Sequence, residues 1–203
     1  MKKNLLFAFF FLSVLSAGAQ VTFKPGIRAG VNFANITNTD LDAKTDFYAG
    51  VYGALKLTRF YTLQPEITYS RQGGEGDVQY YNDFTGNYER ENVKLDLNYI
   101  SLSLINKFTL TNSINIHAGP IFDIITNSGG YVDNDIDIGV TAGIGYTTPF
   151  GLGIEARVKK GFIEPIDSYD YNYNGNGYYD NGYGTNLVFQ LGLTYSFNVT
   201  GAK

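Results

Sequence analysis

The single histidine, His117, is the first place to look for chemistry in this chain. An imidazole can accept and return a proton near neutrality, so a His beside a hydroxyl or a carboxylate is the minimum for hydrolysis or acyl transfer. No spacing singles out a partner, and Asp123, Asp137 and Glu155 compete for that place. His117 is therefore expected to be a satisfied interior side chain, and the protein is expected to be no enzyme and to carry no cofactor. A second pattern, Asp170-x-Asn172-x-Asn174-Gly175, matches the opening of a calcium loop, with alternating oxygen ligands and a Gly at the sharp turn. The twelfth position is Asn181 where a bidentate Glu belongs, and neither flank looks helical. Asp170, Asn172 and Asn174 are thus a calcium candidate with an incomplete ligand set, and no metal is assigned.

The same stretch holds Tyr171, Tyr173, Tyr178, Tyr179 and Tyr183, and segment 73–92 holds Tyr80, Tyr81, Phe84 and Tyr88. Rings among small polar residues suit an adaptable recognition surface. Both segments are expected to be outward loops, with 167–185 the candidate for capturing an extracellular ligand or protein. The third pattern is a set of charges of both signs: Arg28, Lys56, Glu66, Lys107, His117, Asp123, Asp137, Glu155 and Arg157. They are scattered in sequence yet share one phase of a period-two alternation, and that alternation is what must position them.

About eight segments alternate in this way, separated by Gly, Asn, Asp and Pro clusters, and helical periodicity is nearly absent. Ile27, Ala29, Val31 and Phe33 oppose Arg28, Gly30 and Asn32. Ile136, Ile138, Val140, Ala142, Ile144 and Tyr146 oppose Asp137, Gly139, Thr141, Gly143 and Gly145. Leu187, Phe189, Leu191, Leu193, Tyr195 and Phe197 oppose Gln190, Gly192, Thr194 and Ser196. Pro65 falls on an apolar row and lacks a donor, which predicts a bulge nearby. Between Leu95 and Phe108 the apolar phase switches at Tyr99, which predicts one inserted residue there. Connections near Arg59, Thr111-Asn112 and Pro149 are short and those after the first, third, fifth and seventh strands long. Both chain ends are then expected on the periplasmic side.

Lys2 and Lys3, the apolar run Leu5 to Leu15 and Ala17-Gly18-Ala19 form the three parts of a signal peptide over residues 1–19. The mature part, 20–203, is expected to be one barrel domain. There is no Cys, so neither a lipidated cysteine nor a disulfide is available. No later stretch reaches the roughly 20 apolar residues of a spanning helix. The chain has 15 Lys+Arg against 19 Asp+Glu; without Lys2 and Lys3 the balance is 13 against 19 and the net charge moves from −4 to −6. That balance argues against a nucleic-acid partner.

Alternation alone fits two barrels: a soluble, lipocalin-like one with apolar rows inward around a lipophilic ligand, or a transmembrane one with those rows facing lipid. The polar row tips the balance toward the second. It is too rich in Gly and in charges of both signs for a solvent face, and an eight-stranded barrel has room inside only for paired side chains. Aromatic residues, 16% of the chain, sit near strand ends at Phe47, Tyr61, Tyr69, Tyr99, Tyr146, Tyr195 and Phe197, as interfacial girdles require. The expected fold is all-β, an eight-stranded antiparallel up-and-down transmembrane β-barrel.

Gly26-Ile27-Arg28-Ala29-Gly30-Val31-Asn32, Tyr99-Ile100-Ser101-Leu102-Ser103-Leu104 with Lys107-Phe108, His117-Ala118-Gly119-Pro120 and Gln190-Leu191-Gly192-Leu193-Thr194-Tyr195-Ser196-Phe197 resemble the PorT-like, porin-family small outer-membrane β-barrel proteins. The resemblance implies residence in the outer membrane, with outer-membrane lipid and the barrel-assembly machinery as partners. It marks strand positions and a terminal aromatic strand, not an activity. A structural, accessory or small-solute transport role is the resulting expectation.

Overall fold

The alternating segments form eight strands: β1 Thr22–Ile36, β2 Asp42–Lys56, β3 Tyr61–Asn82, β4 Asn87–Thr109, β5 Ile114–Asn127, β6 Ile136–Thr147, β7 Leu152–Gly161 and β8 Asn186–Ser196. The computed structural model describes residues 21–37, 42–82, 85–127, 135–163 and 185–198. The signal segment 1–19, the calcium candidate Asp170, Asn172 and Asn174, and Tyr171, Tyr173, Tyr178, Tyr179 and Tyr183 lie outside the described residues. Each strand pairs antiparallel with the next, and β1 pairs with β8 from Gly26↔Ser196 to Ile36↔Asn186, closing the barrel. Closure satisfies every edge within the wall, which a chain surrounded by lipid requires.

Three tight connections, 57–60, 110–113 and 148–151, gather at one end of the barrel, together with the start of β1 and the end of β8. We call this the turn end and the opposite rim the loop end. Thr58 Oγ1 accepts from the backbone N–H of Phe60 and Tyr61, and Thr111 Oγ1 does the same for Ser113 and Ile114. Gly151, at φ 95°, donates its N–H to Thr148 O at 3.0 Å, a conformation that a side chain there would strain.

The two rows of each strand face opposite ways. Ile144 and Ile154 are 62% and 60% exposed, whereas Glu66 and Arg157 are each 2% exposed. The apolar rows point outward and the polar rows inward, so the alternative of a lipocalin-like cavity with apolar rows around a lipophilic ligand is overturned. Along β1 the exposed apolar positions run from Phe23 to Phe33. Ten residues at ~3.3 Å each, tilted by about 40°, span roughly 25 Å, the height of a membrane's apolar band.

Several expectations about irregularities are corrected. No register shift occurs at Pro65: Tyr52↔Glu66 and Leu55↔Leu63 keep one register, and β4 pairs straight through Pro65↔Leu104. The missing N–H interrupts the β2 ladder without displacing it. The extra residue of that strand pair lies in β2 between Ala43 and Tyr48, across from Gly73 at φ 138°. Nor does β4 change phase at Tyr99. Leu97, Tyr99, Ser101 and Ile105 all face inward, and the extra residue is Thr126 on β5, skipped between Tyr99↔Ile125 and Asn98↔Asn127. The apolar phase switches because the interior itself becomes apolar toward the loop end, with Ala34, Ile36, Leu97, Tyr99, Ile125 and Val188 buried. Tyr99 is therefore no girdle residue.

Segment 73–92 is not a loop. β3 and β4 stay in register from Tyr61↔Phe108 to Asn82↔Asn87, leaving 83–86 as the connection. Among the described residues β3 pairs with β2 only as far as Glu75↔Asp42, and β4 pairs with β5 only from Asn98 onward. A two-stranded ribbon thus stands above the loop end, with Tyr88 exposed near its tip. The connection after β1, 37–41, is also short.

Candidate functional site

The inward rows converge at the waist of the barrel on two arginines and two glutamates. Glu66 on β3 and Arg157 on β7 stand four strands apart, on opposite walls. Their side chains meet across the full bore: Arg157 Nη1 donates to Glu66 Oε2 at 2.8 Å and Nη2 to Oε1 at 2.8 Å. This fork-on-carboxylate geometry is the strongest arrangement an ion pair adopts. Arg28 on β1 closes the ring, with Nη1 on Glu66 Oε2 at 2.9 Å and Nη2 on Glu155 Oε1 at 2.7 Å, and Arg157 Nη2 reaches Glu155 Oε2 at 2.9 Å. Two positive and two negative groups cancel, so the cluster is neutral though buried.

Neutral side chains complete the waist. Gln64 Nε2 donates to Glu66 Oε1 at 2.7 Å, and Gln190 Nε2 to Asn32 Oδ1 at 2.8 Å. Asn32 Nδ2 in turn donates to Ser70 Oγ at 2.9 Å. The Tyr48 ring lies 4.7 Å beneath the Arg28 guanidinium. Its room comes from Gly192, where an added Cβ would strike the Tyr48 hydroxyl.

A second crossbar spans the bore nearer the loop end. Asn186 on β8 and Tyr99 on β4 also stand on opposite walls, and Asn186 Nδ2 donates to Tyr99 Oη at 2.6 Å. Beside it, Lys159 pairs with Asp123 at 2.5 Å and donates to Ser101 Oγ at 3.3 Å. Asp137 Oδ1 accepts the backbone N–H of Phe162 and Ile163 at 3.1 and 2.9 Å.

The structure thus brings Arg28, Glu66, Glu155 and Arg157 into one cluster and places Asp123 and Asp137 in a second. Lys56 corrects the expected set: it has the inward phase but is the last residue of β2 and lies exposed on the turn-end rim. Lys107 is half-buried, directly across the strand from His117, and makes no ion pair among the described residues. His117 Nδ1 is 3.0 Å from Asn115 Oδ1, and Nε2 faces the bare α-carbon of Gly143 with no hydrogen-bond partner among the described residues. No hydroxyl or carboxylate is hydrogen-bonded to His117 among the described residues. Sequence reasoning left Gln64, Asn32, Gln190 and Lys159 out of the assigned network and missed Asn186 and the inward Tyr99. All share the inward phase, and that phase was the signal available.

No protein-family model matches the chain, and no curated protein matches it. Solved structures do. Neisserial surface protein A aligns with a TM-score of 0.52 at 14% identity, covering 86% of this chain and 97% of that one. The fold is that of a small transmembrane β-barrel. Two further similar structures are OprG, an outer membrane protein from Pseudomonas aeruginosa (TM-score 0.48, 11% identity, 88% and 98% covered), and Ail, the attachment invasion locus protein of Yersinia pestis (TM-score 0.46, 12% identity, 88% and 100% covered). At these identities the likeness is one of fold alone.

Proposed function

We propose that the protein is an integral outer-membrane barrel with a structural or accessory role, whose lumen does not conduct and which carries out no chemical turnover. The observation that carries this reading is the Glu66–Arg157 pair, which joins opposite walls of the bore with Arg28 and Glu155 tied to it. The turn end, whose three connections are all short, faces the periplasm, and the loop end, which carries the longer connections 128–135 and 162–185, faces the exterior. Outer-membrane lipid covers the apolar rows, and the barrel-assembly machinery receives the terminal aromatic strand. PorT-like membership is the finer form of the same reading, supported by the sequence motifs.

Planar-bilayer recording tests it. The native protein gives no large steady conductance, while the charge-neutral double variant Glu66→Ala/Arg157→Ala, which removes both halves of the crossbar, opens discrete steps. Steady pores in the native protein overturn the reading. A second reading, surface recognition, is favoured by the β3–β4 ribbon, whose outer edges have no strand partner among the described residues beyond Glu75 and before Asn98. An outer strand edge can accept an extended segment of a partner. Loss of ligand capture on trimming 77–91, with the barrel intact, would favour that reading.

A further inference from the structure

The turn end carries one sign of charge. The stretches that build it, 21–27, 50–65, 103–119, 141–154 and 193–198, contain Lys24, Lys56, Arg59 and Lys107 and not one of the chain's 19 Asp and Glu. Beyond the waist the acidic residues collect instead, with Asp42, Asp46, Glu75, Asp96, Asp123 and Asp137 on the loop-end parts of the strands. The inner wall from the waist down is as uneven. Arg28, Glu66, Glu155 and Arg157 cancel, and Lys107 remains as a positive group with no ion pair among the described residues.

Lys107 stands on a continuous inward row. Register sets Lys56 beside Thr62, Thr62 beside Lys107, Lys107 beside His117, His117 beside Gly143 and Gly143 beside Arg157, one residue per strand from β2 to β7. The row climbs from the exposed rim at Lys56 to the waist at Arg157. Water enters the bore as far as this row: on β4 Ile105 is buried and Lys107 and Thr109 half-buried, and on β6 Thr141 is buried and Gly143, Gly145 and Thr147 half-buried. On the two strands flanking Lys107, the Thr62 hydroxyl and the Asn115 amide nitrogen donate to no other group among the described residues. A cleft of one sign of charge inside a low-dielectric wall focuses the field into itself, and surrounding lipid makes this wall of that kind. An ammonium there without a counter-ion is costly, and a single monovalent anion neutralises it. We propose that the turn-end half of the lumen is a binding vestibule for one small oxyanion, a phosphate or a carboxylate. Lys107 supplies the charge-assisted hydrogen bond, Thr62 and Asn115 supply neutral donors, and Lys56 draws the anion in at the rim.

Isothermal titration calorimetry of the folded mature protein in non-ionic detergent at low salt tests this, with inorganic phosphate and acetate as separate titrants. Saturation at one anion per chain is expected, and the titrant that saturates names the class. A hydrogen bond to a charged group is worth roughly tenfold or more in affinity, so Lys107→Gln should weaken binding by at least that factor. Lys56→Gln, at the exposed rim, should weaken it by about twofold at low salt and leave it unchanged at high salt, and it decides the matter if Lys107→Gln does not fold. Lys94→Gln, which removes an exposed cation of the β3–β4 ribbon, should bind as the native protein does. Absence of saturable binding by either anion overturns the proposal, as does binding that survives Lys107→Gln or is lost in Lys94→Gln. The measurement depends neither on which end faces the periplasm nor on whether the lumen conducts, so it stands or falls separately from the reading above.

Discussion

From Thr62 to Glu75, β3 runs through the barrel wall with partners in both directions and its inward side chains tied into the waist. From Gly76 to Asn82 the same strand has β4 as its only partner among the described residues. One strand thus passes from a cross-linked wall to a free ribbon. The difference lies in what its inward row meets: within the wall, Gln64, Glu66, Thr68 and Ser70 face other strands across a narrow bore, whereas above the rim there is no bore to fill. Stability in such a chain should be set by closure and by the waist, and recognition by the part that closure leaves out.

The largest test of that contrast is Glu66→Ala. It leaves Arg28 and Arg157 with Glu155 alone to share, and breaking a buried pair from one side costs about 3–5 kcal/mol. Urea unfolding in lipid vesicles reads this directly, and a loss near zero would mean that the waist does not anchor the wall. Next is the outer face of the wall: Ile27→Lys places a charge on the exposed apolar row midway between Phe23 and Phe33 and should cost about 2–4 kcal/mol. A smaller effect is expected at the second crossbar. Tyr99→Phe removes the acceptor of Asn186 and should cost about 0.5–1.5 kcal/mol by the same assay. The smallest belongs to the ribbon. Replacing 77–91 by a two-residue turn should leave the unfolding midpoint unchanged, and amides of Gly76 to Asn82 should exchange with deuterium well before those of Thr62 to Gln72. Uniform protection along β3 would erase the distinction.

The wall was legible in the sequence because lipid imposes a strict outward requirement at every second residue, so phase alone places Ile27 or Ile144. The interior was legible by phase but not by height. Lys56 shares the phase of Tyr48 and Tyr52, yet the strand ends under it, and period two carries no information about where a strand leaves the wall. Tyr99 shows the opposite failure. Its apolar ring suggested the lipid face and an inserted residue in β4, but the interior near the loop end accepts apolar groups, and the insertion sits on the neighbouring strand at Thr126. Pairings such as Glu66 with Arg157, or Asp123 beside Asp137, depend on register and on which walls oppose each other, and neither is written in a single segment's pattern. The length of the β3–β4 ladder was hidden because Gly73, Gly74 and Gly76 read as loop punctuation.

Closure of β1 onto β8 also dictates the order of events in time. The first strand's partner along Gly26 to Ile36 is the last strand of the chain, Asn186 to Ser196, so one of its two edges stays vacant until nearly the whole polypeptide exists. Arg28 likewise waits for Glu155 and Gln190. Contacts of such sequence separation close slowly, because the loop entropy is spent before the reward arrives. A nascent chain of this kind has no stable halfway house, and its survival before closure depends on being kept extended and unaggregated until the final strand is delivered.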